Sequence, residues 1–451
     1  RRLRNCCDGS PRASPCLHAI AATYSSCVEQ PAQRLFFALA TALNFTTFGG
    51  DAQDAYAHSP APTVPTFVRI DDAYSDWYFD TFNIRLNRGL VLPVQRALQG
   101  HPESGVCWEK HINAILNDST LNFKSTTHER NIYQATIKGQ RVLLLRQVDD
   151  FALACANPAI AFFVYEHIGL KLCLPKEPKP PFEQLGIVDS FNGVDVLQTR
   201  KYTKLSCESY IRRLLLSHNW STPSATDTAS PSRPREPLNP SDVHAIYHST
   251  GPAAHTLEHA ALSKEMGFNY RTLLGELLYA YISARPDIGY AITTLAKFAK
   301  SPGRIHYSRL KGIAKYLRNT LDWGILYWRP TDMPSLPLVP MQFPIPKDDL
   351  PTFPLFSDPF LLTGYVDAAH ANELVKRRST TGYGFMLAGG IVAYRSKTQT
   401  ITATSSTEAK FIATVSTAKA AKYLRSILIS NLASTRSLLL RSMKTMNQRS
   451  K

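Results

Sequence analysis

No CxxC pair occurs in this chain, and its eight cysteines are scattered, with Cys6, Cys7 and Cys16 the only close set. Structural zinc sites need paired thiolates at short spacing, so that class is excluded. So few unpatterned thiols fit a reduced, intracellular setting. Long apolar runs are missing too. The best stretch, Val142 to Val164, is interrupted by Arg146, Asp149 and Asp150, and it is too charged to be a membrane helix. The opening text, RRLRNCCDGSPRASP, has neither an initiator methionine nor a signal-peptide pattern. It reads as the cut edge of a longer chain. Acids also give out: none follows Glu408, which denies the tail any carboxylate chemistry.

Positive charge is what the chain has in excess. Lysines and arginines number 51 against 35 acids over 451 residues, a formal +16 with pI ≈ 9.5. Such a balance attracts polyanions, nucleic acid above all, without by itself requiring them. With 44% hydrophobic and 19% charged residues, most of the chain is expected to be globular, in two to four domains.

Two segments break that texture. Residues 221–268 begin with Ser-, Thr- and Pro-rich text and read as a linker or excursion, and residues 329–360 carry repeated prolines and read as a stiffer connection. Between them, Leu273, Leu274, Leu277, Leu278 and Tyr281 recur at helical spacing, Pro286 permits a restart, and Ile288, Ala291, Ile292 and Leu295 continue the pattern. A third basic helix follows in HYSRLKGIAKYLRNTLDWG.

The first half holds the strongest chemical clue. VLLLRQVDDFALACA reads as two buried strands flanking a paired-acid turn at Asp149 and Asp150. Burying adjacent carboxylates is costly unless something neutralises them. Nucleotidyl transfer uses two divalent ions roughly 3.5–4 Å apart, and hard Mg²⁺ takes oxygen ligands. A third carboxylate is needed from another strand, and Asp51 in FGGDAQDAYAHS, after the apolar helix RLFFALATALNF, is the best candidate. Asp54, Asp71 and Asp72 read as surface acids and His58 as structural.

In order and wording these segments resemble the reverse transcriptase of copia-type LTR retrotransposon Pol polyproteins. That family reads DVKTAFLNG, ALYGLKQxPRxW, YVDD and FLGIEI, where this chain has DAQDAYAHS (51–59), ALQGHPESGVCW (97–108), QVDD (147–150) and FNGVDVLQTRKY (191–202). Similarity continues through YRTLLGELLYAYISARPDIGYAI and LKGIAKYLRNTLDWGILY. The resemblance implies that Asp51, Asp149 and Asp150 bind Mg²⁺, with Mn²⁺ as substitute. It also implies that Tyr56 excludes a ribose 2′-hydroxyl, and that Gln99 and Gly100 support template and nucleotide. Gly193 would form the primer grip, and Arg2 and Arg4 would meet phosphates. Gln147 stands where the family has tyrosine, and Asp8 where it has a lysine, reversing a charge near the phosphates.

A second set resembles the same family's RNase H. GYVDAAHANELVKRRSTTGYGFMLAGGIVAYRSKTQTITATSSTEAKFIA reads as strand, loop, a hairpin turning at Gly389-Gly390, and a helix capped by Ser405 or Ser406. The resemblance makes Asp367 and Glu408 two of that domain's metal-binding carboxylates. The third, in a YEDN-type strand, is absent. The codons allowed for Ser442 to Ser450, read one frame over, permit YEDNESAV, so a frameshift is expected between about Ile429 and Leu440 and residues 431–451 read as out-of-frame text.

The expected fold is α+β. Residues 1–220 would form a right-hand polymerase palm with partial fingers and primer grip, 269–328 a helical thumb or connection, and 361–430 an incomplete RNase-H-like α/β domain. The partners implied are an RNA template, a DNA primer, their RNA–DNA hybrid and deoxynucleoside triphosphates. No membrane is implied; the setting is the cytoplasm or a virus-like particle. The alternative is an inactive, basic nucleic-acid-binding remnant of such an element.

Overall fold

A computed structural model describes residues 25–87, 89–175, 177–221, 236–331, 358–373, 376–432 and 444–445. Arg2, Arg4 and Asp8, the Ser/Pro-rich text of 222–235, most of the Pro-rich segment and most of the tail lie outside these. The chain divides into two compact units, one formed by residues up to Val28 with Thr47–Ile187, the other by Glu29–Thr46 with everything from Val188 on.

The first regular element among the described residues, helix α1 (Gln30–Ala42), belongs to the second unit. Pro31 sits in its first turn, where a missing N–H costs nothing, and Asn44 just beyond its end takes the left-handed conformation (φ 57°). Being apolar nearly all round, it is buried over most of its length.

The first unit is built on a six-stranded sheet. Its strands are β1 (Thr46–Ala52), β4 (Lys124–Ser125), β5 (Ile132–Ile137), β6 (Gln140–Gln147), β7 (Asp150–Cys155) and β8 (Phe182–Ile187), in the order β4-β5-β6-β7-β1-β8. A small hairpin of β2 (Phe67–Arg69) and β3 (Val91–Pro93), with the exposed helix α2 (Asp72–Phe82) between them, interrupts the path from β1. Asp71, read as a surface acid, caps α2 by accepting the Tyr74 N–H at 2.8 Å.

Two helices, α3 (Ser104–Leu116) and α4 (Pro158–Leu172), cover the sheet. Alternation decides the contact. Val142 and Leu144 of β6 and Phe151, Leu153 and Cys155 of β7 share a core with Trp108, Ile112, Ile115, Val164, Tyr165 and Ile168. Each such side chain contributes about 1.5–3 kcal/mol by leaving water.

The second unit carries two four-stranded sheets. One has β9 (Ser190–Phe191), β10 (Val194–Gln198), β11 (Tyr202–Ser206) and β12 (Ile325–Trp328) in the order β12-β11-β10-β9. Asn192 and Gly193, both left-handed (φ 49° and 75°), make the two-residue turn between β9 and β10, and Asn-Gly is the dipeptide such turns favour. Among the described residues, six helices lie between β11 and the second sheet: α5 (Glu208–Ser217), α6 (Asp242–His248), α7 (Leu257–Met266), α8 (Tyr270–Ser283), α9 (Gly289–Leu295) and α10 (Arg304–Asn319). Pro286 opens a short 3₁₀ turn that separates α8 from α9, at the break the sequence marks.

The other sheet runs β15-β14-β13-β16, from β13 (Thr363–Ala369), β14 (Thr380–Leu387), β15 (Gly390–Thr398) and β16 (Lys444–Thr445), with β16 parallel to β13. Helix α11 (Ser406–Leu432) packs Ala409 and Ala413 on Val366 and Ala368 of β13. The β14–β15 turn corrects the expectation by one residue. Leu387 pairs with Gly390, so Ala388 and Gly389 form the turn (φ 50° and 79°). Gly390 is needed inside the strand instead, because a Cβ there would run into the Leu326 carbonyl and the Tyr327 ring. Among the described residues, no helix is long and apolar enough to cross a membrane.

Candidate carboxylate site

The candidate site of the first unit is assembled from β1 and the β6–β7 hairpin. Gln147 pairs with Asp150, which leaves Val148 and Asp149 as a two-residue turn with Asp149 exposed at its tip. The turn is tied to β1 by the backbone: the Ala52 N–H donates to the Asp149 carbonyl at 3.0 Å, one residue beyond Asp51. Gly50 lets β1 pass close to the aromatic residues of its neighbours, since a Cβ there would lie 2.7 Å from the Phe182 ring and 3.0 Å from Tyr165. FGGD is thus a strand whose glycines admit an aromatic floor before the acid.

The three acids share one electrostatic neighbourhood. Burial first, then Asp149 and Asp51, pushes the Asp150 carboxyl up to about 6. Burial, then Asp149, Glu183 and Asp54, holds Asp51 above the usual carboxylate range. The half-buried Tyr56 packs against the core and is raised by burial and by Asp149, so it too lies beside this cluster. Like charges held together in this way bind a proton or a cation to relieve their repulsion. All the donors are hard carboxylate oxygens, the set that Mg²⁺ and Mn²⁺ prefer. Among the described residues no three His, Cys, Asp or Glu side chains converge closely enough to grip an ion as they stand.

Two members of this neighbourhood escape sequence reading. Glu183 on β8 lies in register opposite Asp51, and the Gln53 side chain donates to it at 2.7 Å. PFEQLGI carries no motif, so only the strand register reveals it. Asp54, read as a surface acid, is exposed as expected yet contributes to the Asp51 shift. His58 behaves structurally: its ring nitrogens meet the Asp54 carbonyl and the Glu177 carboxylate at 3.1 and 2.9 Å. Gln99 and Gly100 form an exposed turn with Gly100 left-handed (φ 86°). Among the described residues no hydrogen bond joins them to the aspartates.

In the second unit Gly193 occupies the tight turn described above, and a Cβ there would collide with the Tyr279 hydroxyl. Asp367 is exposed in mid-β13, paired with Gly382. Glu408 is occupied locally. Its carboxylate accepts from the Thr404 N–H and hydroxyl at 2.6 and 2.7 Å, while its own N–H donates to Ser405 Oγ at 3.1 Å. Ser405, rather than Ser406, therefore caps α11. Those bonds with Thr404, and then His370, hold Glu408 below its ordinary range; Asp367 is not among the groups acting on it. The strand beside Asp367 on its other side is β16, where Tyr365 and Val366 pair with Lys444 and Thr445, neither of which is an acid.

No family model matches the chain. It is 24% identical over 414 residues, 90% of its length, to a retrovirus-related Pol polyprotein from transposon TNT 1-94 of Nicotiana tabacum. It spans only 26% of that polyprotein. Over 328 residues it is 24% identical to a Saccharomyces cerevisiae protein assigned to transposon Ty5-1, covering 88% of that protein. Over 144 residues it is 32% identical to secreted RxLR effector protein 161 of Plasmopara viticola, covering 82% of it.

Proposed function

The chain belongs to the Pol polyproteins of copia-type LTR retrotransposons, and on that premise we propose that its first unit is the palm of an RNA-directed DNA polymerase. The observation that carries this reading is the Ala52–Asp149 backbone bond, beside which Asp149 adds to the raised proton affinity of Asp51 and of Asp150. Asp51, Asp149 and Asp150 would hold two Mg²⁺ ions, which when bound activate a primer hydroxyl and steady the pyrophosphate that leaves. The protein's own part is positional. β1 and the hairpin turn present oxygens from two directions, and Tyr56 lies beside them where a nucleotide sugar would rest. Gln147 in place of tyrosine leaves both turn aspartates intact.

The partners that follow are an RNA template, a DNA primer and deoxynucleoside triphosphates. They would be bound chiefly through phosphates by a chain of net +16, so affinity should fall steeply with salt. The 363–432 segment reads as an RNase H remnant without hydrolytic competence, because Glu408 serves the helix cap and, among the described residues, the strand parallel to β13 brings no third acid beside Asp367. An inactive nucleic-acid-binding remnant remains the second reading, favoured by the same loss in the second unit. Primer extension on an RNA template with Mg²⁺ separates the two. The intact chain extends and Asp149→Asn does not; extension that survives the substitution refutes the site, and salt-sensitive binding without extension by either establishes the remnant.

A further inference from the structure

The turn that presents Asp149 is strained. Val148 has φ 57°, a left-handed value that β-branched residues strongly avoid, in the first position of a two-residue hairpin, where glycine is the usual choice. Something must hold it there. The Val148 carbonyl oxygen accepts two hydrogen bonds, from the Trp108 indole Nε1 at 2.7 Å and from the Arg146 guanidinium at 3.0 Å. Both donors are 0% exposed.

Arg146 is fixed in turn. It forms an ion pair with Glu109 and donates to Asn131 Oδ1 at 3.2 Å. Glu109 also accepts the hydroxyls of Ser25 and Ser26 at 3.0 and 2.9 Å. The Gln147 Oε1 accepts the Val28 N–H at 2.8 Å, so a second bond ties the segment 25–28 to the base of the turn. A fully buried arginine costs more than an apolar side chain of its size, and a buried indole N–H requires a hydrogen-bond partner. Both here aim donors at one carbonyl.

We propose that Trp108, Arg146 and Gln147 are positioning residues that clamp the hairpin in its strained form and so set where the Asp149 carboxylate stands. α3 supplies two parts of the clamp from adjacent positions: Trp108 grips the turn, and Glu109 neutralises the arginine that grips it from below. Gln147 then has a defined role, since its amide oxygen accepts a backbone N–H. The inference rests on the polymerase reading for its catalytic consequence, though not for the clamp itself.

The test compares the intact chain with Trp108→Phe, Val148→Gly and the double variant. Hydrogen exchange of the 146–151 peptide is read alongside primer extension at varied Mg²⁺ and nucleotide. Trp108→Phe keeps an aromatic ring but loses the donor together with the fused pyrrole ring, and the double variant with Val148→Gly separates the lost bond from the lost volume. The single variant is expected to leave one cooperative melting transition, to raise exchange locally at the hairpin, and to lower kcat about tenfold with little change in nucleotide KM. Adding Val148→Gly, which accepts positive φ without strain, restores most of both losses. Unchanged hairpin exchange in Trp108→Phe overturns the clamp whatever extension does. Faster exchange spread evenly over the unit, with no rescue by glycine, shows a merely structural tryptophan and overturns it too. If the intact chain extends no primer, the polymerase reading fails and the exchange data alone decide the clamp.

Discussion

The two carboxylate regions differ in what their acids do for one another. In the first unit Asp149 adds to the raised proton affinity of both Asp51 and Asp150, Asp51 adds to that of Asp150, and a backbone bond together with the strand register keeps them in company. In the second unit Glu408 closes a helix cap with Thr404, and Asp367 stands exposed on its strand. Carboxylates held near one another favour a proton or a cation, whereas an acid satisfied by its own helix terminus has less to gain from either. Similar motif text can therefore survive in two places while only one keeps the conflict that makes it useful.

That contrast breaks most sharply on activity. Asp51→Asn and Asp150→Asn should each lower primer extension by at least about 10³-fold, as loss of a two-metal ligand does. Neither Asp367→Asn nor Glu408→Gln should alter it, and RNA cleavage in a hybrid should be undetectable in all four and in the parent. Cleavage that disappears with Glu408→Gln would erase the distinction between the regions.

Packing beneath the first site gives the next largest effect. Leu144→Ala removes a side chain that is 0% exposed in the shared core of β6 and α3, and should cost about 2–5 kcal/mol in denaturant unfolding. Gly50→Ala, which forces a Cβ against Phe182 and Tyr165, should cost about 1–3 kcal/mol and shift β1. A neutral result at Gly50 would mean that the aromatic floor yields easily and does not fix Asp51.

Acid should move the two regions in opposite directions. Asp150 binds its proton more tightly folded than unfolded, so its penalty is full above pH 6 and fades as pH falls towards 4. His306 in the second unit is the reverse. Burial lowers its proton affinity; its Nδ1 accepts the Gly303 N–H at 2.7 Å, and its Nε2 donates to the Ile246 carbonyl at 2.9 Å, which requires the neutral ring. The unfolded histidine takes up a proton below about pH 6.5 that the folded one refuses, so stability is lost as pH falls through that value. Hydrogen exchange at pH 5 and 7 should show α10 loosening in acid, with the difference reduced in His306→Gln, while Asp150→Asn removes the opposite trend near the hairpin.

Much of this was readable from local text. The apolar runs on either side of the acids in VLLLRQVDDFALACA and the 3.6 period from Tyr270 to Leu295 with its break at Pro286 are short-range patterns, and the structure places strands or helices at each. The hairpin at 388–389 slipped by one residue because the demand on Gly390 comes from Leu326 and Tyr327, far away in sequence. Glu183 was invisible for the same reason.

The sequence by itself determined which residues are acids, where the strongly periodic strands and helices lie, and which known family the order of motifs resembles. These depend on side-chain period and backbone preference within a few residues. Only the tertiary structure decided that Asp51 meets the Asp149 turn, that Glu183 stands across from it, that Trp108 and Arg146 hold a strained valine, and that Glu408 is committed to its cap. Each depends on register or on burial, and both are set by contacts between segments that the chain's linear order keeps apart.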